Sequence, residues 1–398
     1  MGFSTMISRA ERTLFGEWWW TIDRSLLFAV LGLMILGVVL SLAASPPVAE
    51  RIGLDLFHFV NRQAIFLIPA IGIMLGMSFL SPRQVRRFAW VLFFVGLALL
   101  ALTLIHGTEI KGAKRWVSFG GMVVQPSEFV KPALMVLAAW MFAEGSERRD
   151  VPGHFFAMLL LGSVVGLLIL QPDLGQTILV TSVWGAMFFL AGLPWIWMIA
   201  LGGAGVFGLA AAYTFLPHVT KRIDSFMAEE PAGAAAFQVQ KATESFQSGG
   251  WFGKGPGEGT VKRIIPDGHT DFIFSVTAEE FGVLFCILIA CVYGFIVLRS
   301  LHHARREQDG FVRLAIAGLA MLFGLQSAIN MAVNLHLMPA KGMTLPFISY
   351  GGSSMFALAL GMGMLLALTR KRPRADALAA EIARHHRKRQ TLPAGATA

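Results

Sequence analysis

The sequence predicts an all-α polytopic membrane protein with about ten transmembrane helices, and three observations support this class. Hydrophobic residues make up 55% of the 398-residue chain, whereas charged residues make up only 14%, against about 25% in an ordinary soluble domain. The mean hydropathy is +0.64. Apolar runs of about 17–25 residues, long enough to cross a bilayer, recur along most of the chain. The composition therefore excludes an ordinary soluble protein.

The apolar runs divide the chain in order. They lie at 25–45, 59–80, 86–106, 127–143, 154–171, 174–193, 195–216, 272–298, 311–336 and 350–369. The fifth and sixth are separated only by Gln171–Gly175, where Pro172 interrupts the helix. Small residues follow the first run, as they do after a signal peptide, but that run is long and favours an uncleaved anchor. The tryptophans at 18–20 are predicted to form an interfacial aromatic belt.

The positive charges predict the sidedness. The formal net charge is +9, and the arginines cluster in short segments between and after the runs, such as 83–87, 148–149, 299–306 and 370–374. This pattern is typical of loops held in the cytoplasm, and it argues against nucleic-acid binding. Both termini are then cytoplasmic. We predict a cytoplasmic segment 1–24, a membrane domain 25–370 with a large periplasmic loop 217–271 between helices 7 and 8, and a basic tail 371–398.

The two cysteines carry no predicted site. Cys286 and Cys291 share one predicted helix and lie about 140° apart around its axis. They cannot bridge each other, and no metal-ligand spacing surrounds them.

Polar residues gather in the predicted outer segments, first around Lys114, Arg115, Glu128 and Lys131. Glu128 and Lys131 are three residues apart and share a helix face. A capped helix with an internal salt bridge would explain them, and so would a cationic pocket for a phosphorylated ligand, since Arg suits phosphate geometry. Asp173, in the break at 171–175, either bonds its own turn or lines a cavity enclosed by protein.

A glycine-rich stretch lies in the large loop, at residues 249–259. It resembles a phosphate-binding loop, but Gly255 follows Lys254 where a Walker motif requires Ser or Thr. We interpret the stretch as a flexible flap with exposed backbone.

Acidic residues at the start of the eighth run pose a sharper question. Asp271 either caps the helix or provides chemistry at the membrane surface. Helical geometry places Glu279 about 80° from Asp271 and Glu280 about 180° from it. We therefore expect Glu279 to point into the same cavity as Asp271, roughly 12 Å deeper in the membrane. Glu280 is expected to pair with another helix. Near the tenth run, close packing would explain the small residues 351–354, but not Lys341 or the break at Pro346.

Six groups of these residues, taken in order, resemble the SEDS family of cell-wall proteins (shape, elongation, division and sporulation). The groups are 113–116, 125–128 with Lys131, 172–175, 248–250 with 253–255, 269–274 with 279–280, and Pro346 with 349–354. The resemblance covers about residues 25–370. The stretch 341–346 is more similar to the division member of the family than to the elongation member. One departure is Asp267, where the family usually has Glu.

The resemblance implies a peptidoglycan glycosyltransferase that polymerises lipid II at the periplasmic face of the bacterial inner membrane. It implies Asp271 as the catalytic base, an inverting reaction and an undecaprenyl pyrophosphate leaving group. The substrate-binding residues it implies are Lys114, Arg115, Glu128, Lys131, Asp173, His269, Glu279, Lys341 and Ser349.

The implied partners are a class B penicillin-binding transpeptidase and other divisome membrane proteins. A divalent cation, Mg²⁺ or Mn²⁺, would suit pyrophosphate, but no motif specifies one. Two alternatives remain at this point: a flippase for the lipid-linked precursor, with Arg115, Lys131 and Asp173 on its path, and a non-catalytic scaffold for the transpeptidase.

Overall fold

A computed structural model describes residues 13–110, 113–119, 122–148, 150–192, 194–215, 219–220, 223–224, 227, 234–339 and 342–371. Its helices are α1 (Leu14–Thr21), α2 (Arg24–Ala44), α3 (Pro46–Arg51), α4 (His58–Ser78), α5 (Pro82–His106), α6 (Pro126–Glu147), α7 (Gly153–Leu170), α8 (Leu174–Leu190), α9 (Trp195–Phe215), α10 (Ala234–Gly249), α11 (Ile273–Arg306), α12 (Gly310–Asn334) and α13 (Gly352–Leu368). A short 3-10 helix covers Val261–Arg263.

Apolar helices dominate the described chain, and each predicted apolar run coincides with one of them. Seven of the described helices are long and apolar enough to cross a membrane, namely α2, α4, α5, α7, α9, α11 and α12, and α8 and α13 are shorter apolar helices. A multi-pass helical protein is therefore confirmed. The count of ten crossings, the sidedness and the proposed segment limits stay predictions. The tail from residue 372 onward lies outside the described residues.

The segment between α5 and α6 forms a small sheet that the prediction of an all-α fold missed. Strands β1 (Thr108–Ile110), β2 (Ala113–Phe119) and β3 (Met122–Val124) pair antiparallel in the order β1-β2-β3. Trp116 pairs with Thr108, and Val117 pairs with Val124. Such short hairpins give little pattern in the sequence, and here they fix the position of Arg115 on β2.

Helix α6 lies at the centre of the bundle. Every residue from 130 to 139 is buried, and the helix packs against α5, α7, α12 and α13. Because α6 has no exposed face along this stretch, its polar residues Glu128 and Lys131 must find partners inside the protein.

Helix α11 is broken at Gly282, which corrects two predictions. Gly282 has φ 83° and ψ 170°, a conformation open essentially only to glycine. The glycine-rich residues 249–255, here called the plug segment, fill the break. Lys254 and Gly255 donate their N–H groups to the carbonyls of Glu279 and Glu280 (2.9 and 3.0 Å).

The main-chain N–H groups that follow the break are also hydrogen-bonded by the plug segment. The N–H groups of Val283 and Leu284 donate to the carbonyls of Gly250 and Trp251 (2.9 and 3.3 Å). The eighth run is therefore not one continuous helix, and the glycine-rich stretch is not a flexible flap. Glycine is required because the two backbones touch: a Cβ on Gly282 would overlap the backbone of residues 251–253.

The three tryptophans before α2 do not form one interfacial belt. Trp18 is only 3% exposed. Its ring stacks on Phe79 at 4.9 Å, and its indole N–H donates to the Ser78 hydroxyl at 2.8 Å. Trp20 is exposed, and the Arg24 guanidinium lies 4.6 Å from its ring centre. Trp18 therefore anchors α1 to the junction of α4 and α5.

Candidate active site

Asp271 lies half-buried in the turn that precedes α11. The N-cap of α11 is Phe272, and no side chain caps it. The turn is organised by Asp267 instead, since the Asp267 carbonyl accepts the N–H groups of Thr270 (3.0 Å) and Phe272 (3.3 Å). Asp267 has φ 58°, a left-handed conformation that Asp tolerates. The interpretation of Asp271 as a helix cap is therefore wrong.

Two asparagines on α12 hold the main chain of Asp271. The side-chain N–H₂ groups of Asn330 and Asn334 donate to the Asp271 carbonyl at 2.9 and 3.0 Å. Asn330 also donates to the Met343 carbonyl at 2.7 Å. Sequence reasoning missed this pair, although two amides four residues apart on an apolar helix share one face and signal a buried polar contact.

The 342–350 segment lies beside the turn that carries Asp271. The Ser349 hydroxyl donates to the Thr270 carbonyl at 2.5 Å, and the Tyr350 N–H donates to the His269 carbonyl at 3.0 Å. A Cβ placed on Gly342 would lie 3.9 Å from Oδ2 of Asp271, so the carboxylate faces this segment. Lys341 lies outside the described residues.

His269 is part of an aromatic cluster. Its ring centre is 4.5 Å from that of Phe59 and 5.6 Å from that of Tyr350. The Tyr350 hydroxyl is hydrogen-bonded to Arg62. Arg62 is itself exposed, so it places a positive charge at the edge of the cluster.

Arg115 and Asp173 form an ion pair at the turn between α7 and α8. Nε of Arg115 lies 3.6 Å from Oδ2 of Asp173, and the guanidinium also donates to the carbonyls of Gln171 and Pro172. Asp173 caps α8 by accepting the Gln176 N–H at 3.4 Å. Burial raises the pKa of the Asp173 carboxyl, and Arg115 opposes that rise.

Lys114 and Arg115 differ in their surroundings because successive residues of a strand point to opposite sides. Lys114 is exposed, whereas the Arg115 side chain is 17% exposed. Arg115 therefore keeps some contact with solvent while holding the turn between α7 and α8.

Lys131 and Glu128 lie in a buried polar cluster. The Lys131 ammonium donates to Glu128 (2.9 Å), Gln176 (2.9 Å) and Gln326 (3.0 Å). Lys131 is 2% exposed, and these three bonds use all the protons of its ammonium. The predicted cationic pocket of Arg115 and Lys131 is therefore not open in this structure, and the internal salt bridge is present.

Glu279 and Glu280 serve the large loop. The Glu279 carboxylate accepts the N–H groups of Thr260 (2.6 Å), Val261 (2.8 Å) and Lys262 (2.8 Å). It therefore binds the N-terminal end of the 3-10 helix, in place of the expected cavity. Glu280 pairs with the Lys262 ammonium, so its partner lies on the short 3-10 helix of the large loop.

Of the predicted site residues, the structure brings together His269, Asp271 and Ser349, while Arg115 joins Asp173 and Glu128 joins Lys131. Within the described residues, no group of three or more His, Cys, Asp or Glu side chains could hold a metal ion.

Comparisons with known proteins agree with one another. The FTSW_RODA_SPOVE family model, described as "Cell cycle protein", matches residues 24–374. A protein of Caulobacter vibrioides named "Probable peptidoglycan glycosyltransferase FtsW" is 48% identical over 367 residues, which cover 92% of this chain and 94% of that protein. The protein of the same name from Trichlorobacter lovleyi is 36% identical, over 86% and 92% of the two chains.

Solved structures share the fold. A chain from a structure described as "Structural coordination of polymerization and crosslinking by a peptidoglycan synthase complex" superposes with a TM-score of 0.74 at 31% identity, over 87% of this chain and 97% of that one. The rod shape determining protein RodA of Thermus thermophilus superposes with a TM-score of 0.63 at 31% identity, over 88% and 97%.

Proposed function

The chain belongs to the FTSW_RODA_SPOVE family of cell cycle proteins, and we propose that it is a peptidoglycan glycosyltransferase that polymerises lipid II for the septal wall during cell division. The names of its relatives support the activity, since the 48% identical protein is a probable peptidoglycan glycosyltransferase FtsW. That naming also favours division over elongation.

Asp271 is the proposed catalytic base, and its surroundings carry the proposal. Among the other predicted acidic site residues, Glu128, Asp173 and Glu279 are all buried. Asp271 is half-buried, at the point where a polar segment meets a long apolar helix. This position is within reach of both a sugar hydroxyl and a lipid anchor.

The reaction follows from these parts. The Asp271 carboxylate takes the proton of the acceptor sugar 4-hydroxyl, and the hydroxyl oxygen bonds to the anomeric carbon of the donor. The bond from that carbon to the pyrophosphate oxygen breaks, and undecaprenyl pyrophosphate leaves with the electron pair. A single displacement of this kind inverts the anomeric centre.

Positive charge near the site would stabilise the leaving group. The exposed side chains of Arg62 and Lys114 and the partly exposed Arg115 are the described cations proposed for this role. Lys131 belongs to the supporting cluster, because its protons are all engaged inside the bundle. Mg²⁺ or Mn²⁺, if bound, would neutralise pyrophosphate charge.

The proposed location is the bacterial inner membrane, with the Asp271 end facing the periplasm. The distribution of arginine supports this orientation. Reporter fusions after Arg149 and Arg306 are expected to report the cytoplasm, and fusions within 230–260 the periplasm. A periplasmic signal after Arg306 would contradict the orientation.

A class B penicillin-binding transpeptidase is the proposed partner, alongside other divisome membrane proteins. The similar chain in the peptidoglycan synthase complex supports such a partner, because that complex coordinates polymerization and crosslinking. The scaffold alternative shares this partner and differs only in lacking polymerase activity.

The flippase alternative finds less support. It needs polar side chains that line a path through the bilayer. Lys131 is buried and all the protons of its ammonium are hydrogen-bonded, and Arg115 is hydrogen-bonded to the α7–α8 turn. These residues therefore do not line an open passage here.

The decisive experiment is polymerisation of lipid II by purified protein, with and without the transpeptidase, for the parent and Asp271→Asn. We expect glycan polymer from the parent and a loss of about 10²–10⁴-fold in the variant. Asn keeps the size of the side chain, so thermal stability and partner binding should be unchanged. Normal polymerisation by Asp271→Asn would contradict the base assignment, and loss of polymer with lipid flipping preserved in liposomes would separate the enzyme from a flippase.

A further inference from the structure

We propose that Asn330 is a positioning residue for the reaction, and that it sets the distance between Asp271 and the 342–350 segment. This inference rests on the proposed function, in which Asp271 is the base. It assigns a role to a helix residue that the sequence motifs of the site do not include.

The contacts of Asn330 are unusual for one side chain. Its Nδ2 group donates to the Asp271 carbonyl at 2.9 Å and to the Met343 carbonyl at 2.7 Å. One planar amide therefore joins the turn that carries the base to the segment facing the carboxylate. Asn330 is 2% exposed, so water does not compete for either bond.

Asn334 fixes the same turn from the next helical position. Its Nδ2 group donates to the Asp271 carbonyl at 3.0 Å and to the Asn330 carbonyl at 2.9 Å. Its Oδ1 accepts the N–H (3.1 Å) and the hydroxyl (2.6 Å) of Ser275, one turn into α11. Asn334 thus anchors α11 to α12, whereas Asn330 bonds both Asp271 and Met343. Ser349 and Tyr350 tie the far end of the same segment to Thr270 and His269.

The chemistry explains why this distance matters. A base must lie within hydrogen-bond reach of the proton it takes, and a misplacement of about 1 Å can cost on the order of 10²-fold in rate. Gly342 lies against the Asp271 carboxylate. Loss of the Asn330 bridge therefore frees the end of the segment that faces the carboxylate, while Ser349 and Tyr350 still hold its other end.

A double-mutant cycle tests the proposal. The rate of polymerisation from lipid II is measured for the parent, Asn330→Ala, Asp271→Asn and the double variant. If Asn330 acts through Asp271, Asn330→Ala lowers kcat about 10- to 100-fold in the parent, with KM for lipid II nearly unchanged. In the Asp271→Asn background the same change should cost less than about threefold, because the misplaced group no longer takes a proton.

Gln63→Leu is the matched control. Gln63 is a fully buried amide that donates to the Ile348 carbonyl at 3.3 Å, so it holds the same segment without touching Asp271. We expect a similar loss of thermal stability and the same small change in kcat in both backgrounds. Asn330→Leu replaces Asn330→Ala if the alanine variant does not fold, since it keeps roughly the size and removes the bridging N–H₂ without burying a charge.

The outcomes separate this inference from the proposed function. An equal loss from Asn330→Ala in both backgrounds would overturn the positioning role alone. A parent protein that makes no polymer from lipid II would overturn the proposed function and the inference together. Full activity of Asp271→Asn would overturn the base, and with it the reason for positioning it.

Discussion

Nε of Arg115 lies 3.6 Å from Oδ2 of Asp173, so a charged contact ties strand β2 to the turn between α7 and α8. Burial raises the pKa of the Asp173 carboxyl, and Arg115 opposes the rise. Removing the arginine should therefore raise this pKa further and destabilise the ionised form.

Arg115→Ala should lower thermal stability at neutral pH, by less than the roughly 3–5 kcal/mol typical of a fully buried pair, because Arg115 is partly exposed. A carboxyl whose pKa is raised by folding destabilises the folded protein when it ionises. The variant should therefore regain stability as the pH falls towards that pKa. Melting curves in detergent at about pH 8 and pH 5 measure this. Asp173→Asn in the Arg115→Ala background should remove the pH dependence, and its persistence would contradict the assignment.

Lys131→Met should destabilise the protein by about 3–5 kcal/mol, because it leaves the Glu128 carboxylate buried without its cation. Adding Glu128→Gln should restore much of the loss. The Lys241–Glu244 pair on α10 is the matched control, since Glu244 is exposed and such a pair contributes about 0–1 kcal/mol. Thermal unfolding measures all three variants, and equal losses from Lys131→Met and Lys241→Met would contradict the prediction.

Gly282→Ala should destabilise the break in α11 by more than about 1–3 kcal/mol, the usual cost of a forbidden backbone conformation, because its Cβ would also meet the plug segment. Gly294 lies further along the same helix with no atoms near its Cβ position, and Gly294→Ala should change stability by less than about 1 kcal/mol. Protease cleavage within 249–255 should increase only in Gly282→Ala. Unchanged cleavage there would show that the plug segment does not depend on the break.

Asp23→Asn should lower the thermal stability at neutral pH and change it little in acid. Burial alone would raise the pKa of Asp23, but hydrogen bonds from His303 and Arg299 outweigh it and hold the pKa well below its usual range. A carboxyl with a depressed pKa stabilises the fold above its unfolded pKa of about 3.9, and this stabilisation is lost as the pH falls below that value. The difference in melting temperature between parent and variant should therefore shrink towards pH 3, and a constant difference would contradict it.

The helices could be predicted from the sequence because each crossing leaves an apolar run that composition alone reveals. The three-stranded sheet and the break at Gly282 could not. Both features are held by hydrogen bonds between main-chain groups. The bonds between the plug segment and α11 involve no side chain, so the residue types do not reveal them. Gly282 itself, two residues after Glu280, was the available signal.

The candidate site was predicted in part. Asp271, His269 and Ser349 were identified and lie together, because polar residues at the mouth of an apolar run are informative. The roles of Glu279 and Lys131 were harder to predict, since a buried charge signals a partner without saying which. Asn330 and Asn334 escaped notice because neutral amides do not alter the charge pattern of a helix.

The plug segment precedes α11 in the chain, and this order constrains how the protein is made. Residues 249–255 are synthesised before residues 279–284, and the four main-chain groups beside Gly282 stay unpaired until these earlier residues fold back onto α11. Unpaired backbone groups are costly in a bilayer, and Glu279 and Glu280 add to that cost. Stable insertion of α11 therefore depends on the plug segment folding back onto it, so changes in the length of chain between residues 255 and 279 should impair the insertion of this helix.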